Sequence, residues 1–224
     1  MKVLVSDFDL TLYDDNYANN ILAIKKFVKE GNIFIIATGR SMYDLERDLV
    51  DIPCKWYICK DGASIYNDKK ELIYRCDIDT KEAYNIYKYL LDTKNYKELY
   101  IDNGDAKTSN IDNVNSIIGV PNDFNVALKD LEYLKNNYNI DGYISRHWIN
   151  INNKKCNKAS GIEYLKNKYN LENIYTVGDT VNDYLMIKNY KGYAMDVANN
   201  YIKEVSVSTI SSLEELIKKI SNLS

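Results

Sequence analysis

The chain has 224 residues and a formal net charge of −3, and hydrophobic residues make up 46% of it. This composition supplies a packed core and argues against global disorder, while the acidic balance argues against nucleic acid as a partner. No apolar run approaches the roughly 20 residues that span a membrane, and the N-terminus lacks a signal-peptide pattern. We therefore expect a cytoplasmic protein that has neither a membrane nor nucleic acid as its partner.

The cysteines and the single histidine limit the chemistry that the chain can carry. Cys54, Cys59, Cys76 and Cys156 form no Cys-x-x-Cys pair, so the sequence indicates neither a zinc site nor a disulfide framework. A Ser-His-Asp mechanism would have to use His147, and no nucleophile-elbow motif accompanies that residue.

Strands and helices alternate at the start of the chain. Residues 3–5 form a short apolar run typical of a buried strand, residues 21–28 carry a helical apolar stripe, and residues 33–37 and 56–59 predict two more buried strands. This alternation predicts an α/β fold with a doubly wound parallel sheet. In such a sheet, ligands bind at the carboxyl ends of the strands.

The pattern changes over residues 71–155. Apolar pairs around residues 65–74 suggest a hairpin, and residues 83–91 form an amphipathic helix. Further short strands are predicted at residues 99–101, 142–144 and 148–151, and one more helix is predicted at residues 128–134. We interpret residues 71–155 as an inserted, smaller α+β cap, and residues 1–70 and 156–224 as the core domain.

The alternation returns after the insertion. Asn157 can cap a helix, and residues 174–177 predict a strand. Residues 193–195 and 205–207 suggest further short strands, and residues 213–220 suggest a closing helix.

Two carboxylates stand at the end of the first predicted strand. Asp7 and Asp9 follow the apolar run, and side chains two positions apart on a strand point to the same face. At a separation of about 4 Å and an effective dielectric constant of about 20, like charges repel by roughly 4 kcal/mol. Either a cation or a shared proton offsets this repulsion, or the two residues belong to a solvated acidic turn.

Three further segments carry polar residues at a predicted strand end or helix start. They are Thr38-Gly39-Arg40, Lys158 and Gly178-Asp179-Thr180-Val181-Asn182-Asp183. Asp179 and Asp183 bring the acidic count to four against one lysine, a balance that would repel a phosphate dianion. We therefore expect a hard divalent cation with oxygen ligands, which Mg²⁺ suits.

Together the four segments resemble the motifs of the haloacid dehalogenase (HAD) superfamily of phosphohydrolases. The insertion resembles the type-two (IIB) cap of the Cof-like branch of that superfamily, and the resemblance covers essentially the whole chain. It implies a Rossmann-like core and an enzyme that hydrolyses phosphate monoesters of small metabolites. Sugar phosphates or phosphorylated cofactors would be the substrates, Mg²⁺ the cofactor, and an aspartyl-phosphate the intermediate.

The resemblance and the chemistry of phosphoryl transfer assign roles to four catalytic residues. Asp7 is the predicted nucleophile, and Asp9 the predicted general acid and then base. Thr38 should donate a hydrogen bond to a phosphoryl oxygen. Lys158 should neutralise the transferring charge and hold Asp7.

The predicted metal ligands come from the resemblance. It implies that Asp7, the backbone carbonyl of Asp9 and Asp179 coordinate Mg²⁺. Asn182 and Asp183 support the ion directly or from behind the other ligands.

Substrate contacts are predicted around the phosphate and from the cap. Gly39 lets the backbone approach the phosphate, Asn182 lies beside it, and Arg40 either contacts substrate or braces the rim. Arg146, His147 and Trp148 offer a mixture of cation and aromatic side chains that suits a phosphorylated sugar or cofactor, or they belong to a cap strand with incidental polar residues.

Two segments depart from the family pattern. Asp61 stands where relatives usually carry Asn, and an ionised Asp cannot donate a hydrogen bond. Near the end of the chain, Asp196-Val197 replaces part of the usual Gly-Asn-Ala. Neither change touches the four core motifs.

The sequence leaves two alternative functions open. A phosphomutase would use the same aspartyl-phosphate, and a non-catalytic protein would bind a phosphometabolite on the same fold. In each case the expected partner is a small phosphorylated metabolite, and the expected state is a monomer or a weak homo-oligomer.

Overall fold

The structure is a computed structural model that describes residues 1–145 and 147–222. The described chain forms two β-sheets, which we call the core sheet and the cap sheet. The strands of the core sheet are β1 (Val3–Ser6), β2 (Ile33–Ala37), β3 (Trp56–Cys59), β4 (Ser64–Asn67), β5 (Leu72–Arg75), β11 (Ile174–Gly178), β12 (Lys191–Met195) and β13 (Thr209–Ile210). Those of the cap sheet are β6 (Tyr96–Asp102), β7 (Lys107–Thr108), β8 (Ser116–Pro121), β9 (Ile140–Ser145) and β10 (Trp148–Asn153).

The core sheet has the strand order β13-β12-β11-β1-β2-β3-β4-β5. Neighbouring strands from β13 to β3 are parallel, and β4 and β5 add an antiparallel hairpin at one edge. Strands β1 and β11 are buried along their whole length, as expected where helices cover both faces of a parallel sheet. The predicted doubly wound α/β core is therefore confirmed.

Helices cover both faces of the core sheet. The helices of the core are α1 (Tyr17–Lys29), α2 (Met42–Leu45), α5 (Lys158–Tyr169), α6 (Tyr184–Asn189), α7 (Asn200–Lys203) and α8 (Leu213–Ser221). Phe27 of α1 and Leu216 of α8 pack on one face, while Ile162 of α5 and Met186 of α6 pack on the other. In the described part of the chain, no helix is long and apolar enough to cross a membrane.

The cap sheet is antiparallel and has the order β7-β6-β8-β10-β9. Two helices, α3 (Thr80–Thr93) and α4 (Phe124–Asn137), supply Leu90 and Leu134 to a second hydrophobic core with Ile117 and Ile149 of the sheet. Because side chains alternate along a strand, Trp148 and Asn150 point to the opposite face. That face is turned toward the core sheet and lines a cavity.

Some local predictions differ from the structure. Strand β5 pairs with β4 in the core sheet, although the predicted insertion begins at residue 71. The predicted strand at residues 205–207 is wrong: that segment is a turn, and the short strand β13 lies at Thr209–Ile210. Val207 is exposed, so its β-branched side chain has no sheet neighbour to pack against.

Candidate active site

Loops that follow four strands of the core sheet meet at one edge of that sheet. Asp7 follows β1, Thr38 follows β2, Lys60 follows β3 and Asp179 follows β11. The backbone N–H of Asp7 donates to the carbonyl of Val177 at 2.9 Å, which joins the loop after β1 to strand β11. The side chains gather because parallel strands present their carboxyl ends at the same edge.

Lys158 lies at the centre of the buried part of the site. It is the first residue of α5, which Asn157 caps by accepting from the N–H of Ser160, as predicted for a helix start. The Lys158 Nζ is 2.5 Å from Asp7 Oδ1 and 2.6 Å from Asp183 Oδ1, and the lysine is fully buried. Burial disfavours the charged lysine, but Asp183 and Asp7 outweigh it and raise the pKa of Lys158. The side chain therefore remains cationic between two carboxylates.

The buried carboxylates near Lys158 outnumber its single positive charge. Oxygens of Asp7, Asp179 and Asp183 lie within 4.8 Å of one another. Burial raises the pKa of Asp7 well above its usual range although Lys158 opposes the shift, and burial followed by the charge of Asp183 raises the pKa of Asp179 to about 6. A concentration of carboxylate oxygens with excess negative charge fits a hard divalent cation such as Mg²⁺.

Asp183 braces the loop that carries Asp179. One oxygen of Asp183 contacts Lys158, and the other accepts from the backbone N–H groups of Asp179 and Thr180, each at 3.0 Å. Gly178 packs directly on this side chain, because a Cβ at that position would lie 2.4 Å from Asp183 Cγ. The arrangement orients Asp179, whereas Asp183 itself is fully buried behind it.

Arg40 holds Asp9 by two parallel contacts. Its Nε is 2.9 Å from Asp9 Oδ2 and its Nη2 is 2.6 Å from Asp9 Oδ1, while Nη1 lies 2.5 Å from Asp48 Oδ2. The guanidinium carbon stands 4.9 Å from the ring centroid of Phe8. Of the two roles predicted for Arg40, the structure therefore shows the contacts of a brace on the rim.

Residues 60–62 join the core sheet to the cap sheet. Lys60 Nζ lies 2.7 Å from Asp102 Oδ2 on β6, and both side chains are buried. Asp61 Oδ2 accepts from the Tyr143 hydroxyl on β9 at 2.6 Å, and Asp61 Oδ1 accepts from the Asn182 amide at 2.9 Å. The departure of Asp61 from the family pattern thus has a physical role here, since the carboxylate accepts hydrogen bonds from the cap and the core at once.

The backbone conformation of residues 60–62 explains how this segment contacts two strands of the cap sheet. Lys60, Asp61 and Gly62 all have positive φ, at 49°, 52° and 93°. A Cβ at Gly62 would lie 2.3 Å from the carbonyl oxygen of Asn157, so only glycine fits there. The left-handed turn directs Lys60 and Asp61 to different strands of the cap sheet.

Tyr143→Phe should weaken the contact between the two sheets. Burial and the neighbouring Asp61 raise the pKa of Tyr143 well above its usual value, so its hydroxyl stays protonated and donates to the buried carboxylate. We expect the free energy of unfolding, measured in urea, to fall by about 1.5–3 kcal/mol, as for a hydrogen bond to a charged group.

The matched control is Tyr87→Phe. The hydroxyl of Tyr87 donates to the neutral carbonyl of Leu99 at 3.3 Å in the cap, and its loss should cost about 0.5–1.5 kcal/mol. Equal losses in the two variants would contradict a special role for the contact between Tyr143 and Asp61.

A cavity of about 610 Å³ lies between the two sheets. Its core wall contains seven of the residues predicted as site residues, namely Asp7, Asp9, Thr38, Gly39, Arg40, Asp179 and Asn182. Lys158 and Asp183 lie behind this wall rather than on it. These predicted site residues therefore lie together on one side of the cavity.

The cap wall of the cavity was identified from the sequence only at Trp148. It includes Tyr100, Trp148 and Lys107, with Lys107 Nζ 4.4 Å from the ring centroid of Tyr100 and 5.8 Å from that of Trp148. In β10, Trp148 and Asn150 alternate with buried isoleucines, and this alternation was the sequence signal for the cap wall. It indicates which side chains share a face of the strand, but not which face turns toward the cavity.

Of the three consecutive cap residues singled out from the sequence, Trp148 lies on the cavity wall. His147 is exposed, and its ring centroid is 6.3 Å from that of Phe124, outside the cavity wall. Arg146 lies outside the described residues. Asp196 and Val197 are not on the cavity wall either, and Val197 is exposed.

Comparisons with known proteins agree with the fold. A family model described as haloacid dehalogenase-like hydrolase matches residues 4–105 and 91–215. Among solved structures, a HAD phosphatase from Bacteroides thetaiotaomicron superposes with a TM-score of 0.85 at 18% identity, covering 99% of this chain and 94% of that one. A HAD subclass IIB sugar phosphatase superposes with a TM-score of 0.79 at 18% identity, covering 99% and 98% of the two chains.

Similarity to curated proteins is partial. The chain is 35% identical over 107 residues to the 5-amino-6-(5-phospho-D-ribitylamino)uracil phosphatase YwtE of Bacillus subtilis, which covers 46% of this chain and 36% of that protein. The matches span less than half the length of the curated relatives.

Proposed function

Because the chain belongs to the haloacid dehalogenase-like hydrolase family, we propose that it is a Mg²⁺-dependent phosphatase of small phosphorylated metabolites. The observation that carries the proposal is the buried Lys158 held between Asp7 and Asp183, beside Asp179 at the floor of a cavity. A buried ion pair of this kind is weak evidence for stability alone, because desolvation offsets the attraction between its charges. Its position at the strand ends of the core sheet favours a catalytic use.

Asp7 is the nucleophile in this proposal. Its carboxylate oxygen attacks the phosphorus, the bond from phosphorus to the ester oxygen breaks, and an aspartyl-phosphate forms. Lys158, 2.5 Å away, orients the Asp7 carboxylate and offsets negative charge that gathers on the phosphoryl group. Thr38, on the cavity wall, donates its hydroxyl to a phosphoryl oxygen.

Asp9 moves the proton. It gives a proton to the departing ester oxygen and later removes one from the water that attacks the aspartyl-phosphate. Its carboxyl is held by Arg40 at 2.6 Å, so a proton transfer requires this side chain to turn from Arg40 toward the cavity. Arg40 therefore holds Asp9 in the orientation from which this turn starts.

The donor set at the floor of the site fits Mg²⁺. Asp7, Asp179 and the backbone carbonyl of Asp9 would hold the ion, and Asp183 would keep Asp179 in place through the loop contacts described above. When bound, Mg²⁺ supplies charge that offsets the repulsion between the carboxylates and a phosphate dianion.

The cap wall supports our proposal for the substrate class. The cavity is far larger than a phosphate group, and its outer part is bordered by Tyr100, Trp148 and Lys107. Aromatic faces pack against the apolar face of a sugar or a heterocycle, and a lysine above them suits an electron-rich or anionic group. We infer a sugar phosphate or a phosphorylated cofactor as substrate.

The experiment that tests the function is phosphate release from a generic aryl phosphate. The full chain is assayed with Mg²⁺, with excess chelator, and with Mg²⁺ restored after chelation. We expect release that stops with chelator and returns with Mg²⁺. Isomerisation of a hexose phosphate without phosphate release would instead indicate a mutase, and release unaffected by chelator would contradict the role of the metal.

A further inference from the structure

Two short linkers join the core sheet to the cap sheet, and each carries one cysteine. The first linker, residues 76–79, connects β5 to α3, and the second, residues 154–157, connects β10 to α5. Cys76 opens the first linker and Cys156 lies in the second. Neither thiol takes part in the proposed phosphatase chemistry.

The two linkers run side by side. The Sγ atom of Cys156 lies 3.6 Å from the carbonyl oxygen of Cys76. The amide of Asn153 donates to the carbonyl of Asp77 at 2.8 Å, which holds the linkers together beside the cysteines. The backbone N–H of Cys76 donates to Ala63 at 2.8 Å and anchors that end to the core. The two cysteines are therefore neighbours across the two linkers.

The environments of the cysteines differ. The neighbouring Cys156 thiol lowers the pKa of Cys76 to about 7, although partial burial opposes this shift. Burial raises the pKa of Cys54 to about 12 and that of Cys59 further. Cys76 is partly exposed, and Cys156 borders a separate cavity of about 190 Å³ that can admit a small oxidant. Thiolate character and access are the two conditions for oxidation of a cysteine.

We propose that Cys76 and Cys156 form an oxidative modification site, in which a hydroperoxide oxidises Cys76 and Cys156 closes a disulfide between the two linkers. The Cys76 sulfur attacks one peroxide oxygen, the O–O bond breaks, and with hydrogen peroxide one water leaves while Cys76 becomes a sulfenic acid. The Cys156 sulfur then attacks the Cys76 sulfur, the S–O bond breaks and a second water leaves. Two thiols lose two electrons in total, and the peroxide gains them.

The disulfide would restrain movement between the two sheets. Both connections between them would be tied at one point, whereas substrate entry and product release require the cap to move relative to the core. This consequence rests on the proposed function. We expect oxidation to remove most of the phosphatase activity and a dithiol reductant to restore it.

The test maps the thiols of the full chain after treatment with hydrogen peroxide. We expect a mass decrease of about 2 Da, reversed by dithiothreitol, and a disulfide-linked peptide that contains Cys76 and Cys156. Cys54 and Cys59 should remain available to alkylation after denaturation. In Cys156→Ser, Cys76 should accumulate as a sulfenic acid that dimedone traps, and in Cys76→Ser, Cys156 should stay reduced.

Other outcomes would overturn the proposal. Pairing with Cys54 or Cys59, pairing only between chains, or direct conversion of Cys76 to sulfinic acid in the unmodified chain would each show that Cys156 does not resolve it. The peptide map does not depend on turnover, so an inactive reduced chain would contradict the proposed phosphatase and leave the thiol result standing. A disulfide that leaves the activity of an active chain unchanged would contradict the restraint on the cap.

Discussion

Asp7→Asn should abolish phosphate release, with a loss of at least about 10³-fold in kcat on any phosphomonoester that the unmodified chain hydrolyses. The amide is close in size to the carboxylate, and its oxygen can still accept from Lys158, which now lies 2.5 Å away. It lacks the negative oxygen that attacks phosphorus, so no aspartyl-phosphate can form. The fold should persist, because the substitution keeps the volume and the hydrogen bond.

The measurement combines turnover with a search for the intermediate. Steady-state phosphate release is compared between the unmodified chain and the variant, and acid-quenched samples are analysed for a phosphate adduct on the peptide that contains Asp7. The matched control is Asp68→Asn, an exposed aspartate that pairs with Lys55 far from the cavity. Normal turnover in the Asp7 variant would contradict the proposed role of Asp7 as the nucleophile.

Lys158→Met should cost both activity and stability. The lysine is fully buried, and its ammonium group is the only cation within 4 Å of Asp7 or Asp183 among the described residues. Methionine fills a similar volume but leaves two buried carboxylates without their partner. Removing one member of a buried ion pair costs about 3–5 kcal/mol, so we expect a fall of that size in the free energy of unfolding near neutral pH.

The pH dependence of this loss has a definite sign. Burial already raises the pKa of Asp7, and removal of Lys158 takes away the main opposing influence. The Asp7 carboxyl of the variant should therefore take up a proton in the folded state at a higher pH than in the unfolded chain. Such a group stabilises the fold at low pH and loses that contribution as pH rises through the folded pKa. The fall in the free energy of unfolding caused by Lys158→Met should therefore be smaller at pH 5 than at pH 7.5.

Urea unfolding at the two pH values tests this prediction. The matched control is Lys166→Met on the same helix, where an exposed lysine pairs with Glu163 at 3.3 Å. A surface pair contributes about 0–1 kcal/mol, so the control should change little at either pH. A deficit in the Lys158 variant as small as that of the control would show that the buried pair does not support the site.

Much of the fold follows from short-range patterns. The apolar run at residues 3–5 and the alternation up to residue 62 predicted the parallel core, and Asn157 predicted the start of α5. The position of Asp7 and Asp179 at one edge followed from the rule that parallel strands end together. These inferences needed only the chain neighbours of each residue.

The tertiary structure decided which side chains meet. Tyr143 reaches Asp61 across 82 positions, and Cys156 reaches Cys76 across 80. The bond of Arg40 to Asp9 spans two loops of adjacent strands. The periodicity of the sequence does not predict such pairs, because they depend on strand order and on how the cap sheet lies over the core.

The cap shows the same division most clearly. The sequence by itself determined that residues 148–151 alternate, and it drew attention to Arg146, His147 and Trp148, but it did not determine which face of the strand would turn to the cavity. Packing of Ile149 under α4 decides this, since burying that face leaves Trp148 on the other. Sequence thus determined the residue types at the strand ends of the core and the local elements, while the cap wall of the cavity and the thiol pair arise only when the two sheets come together.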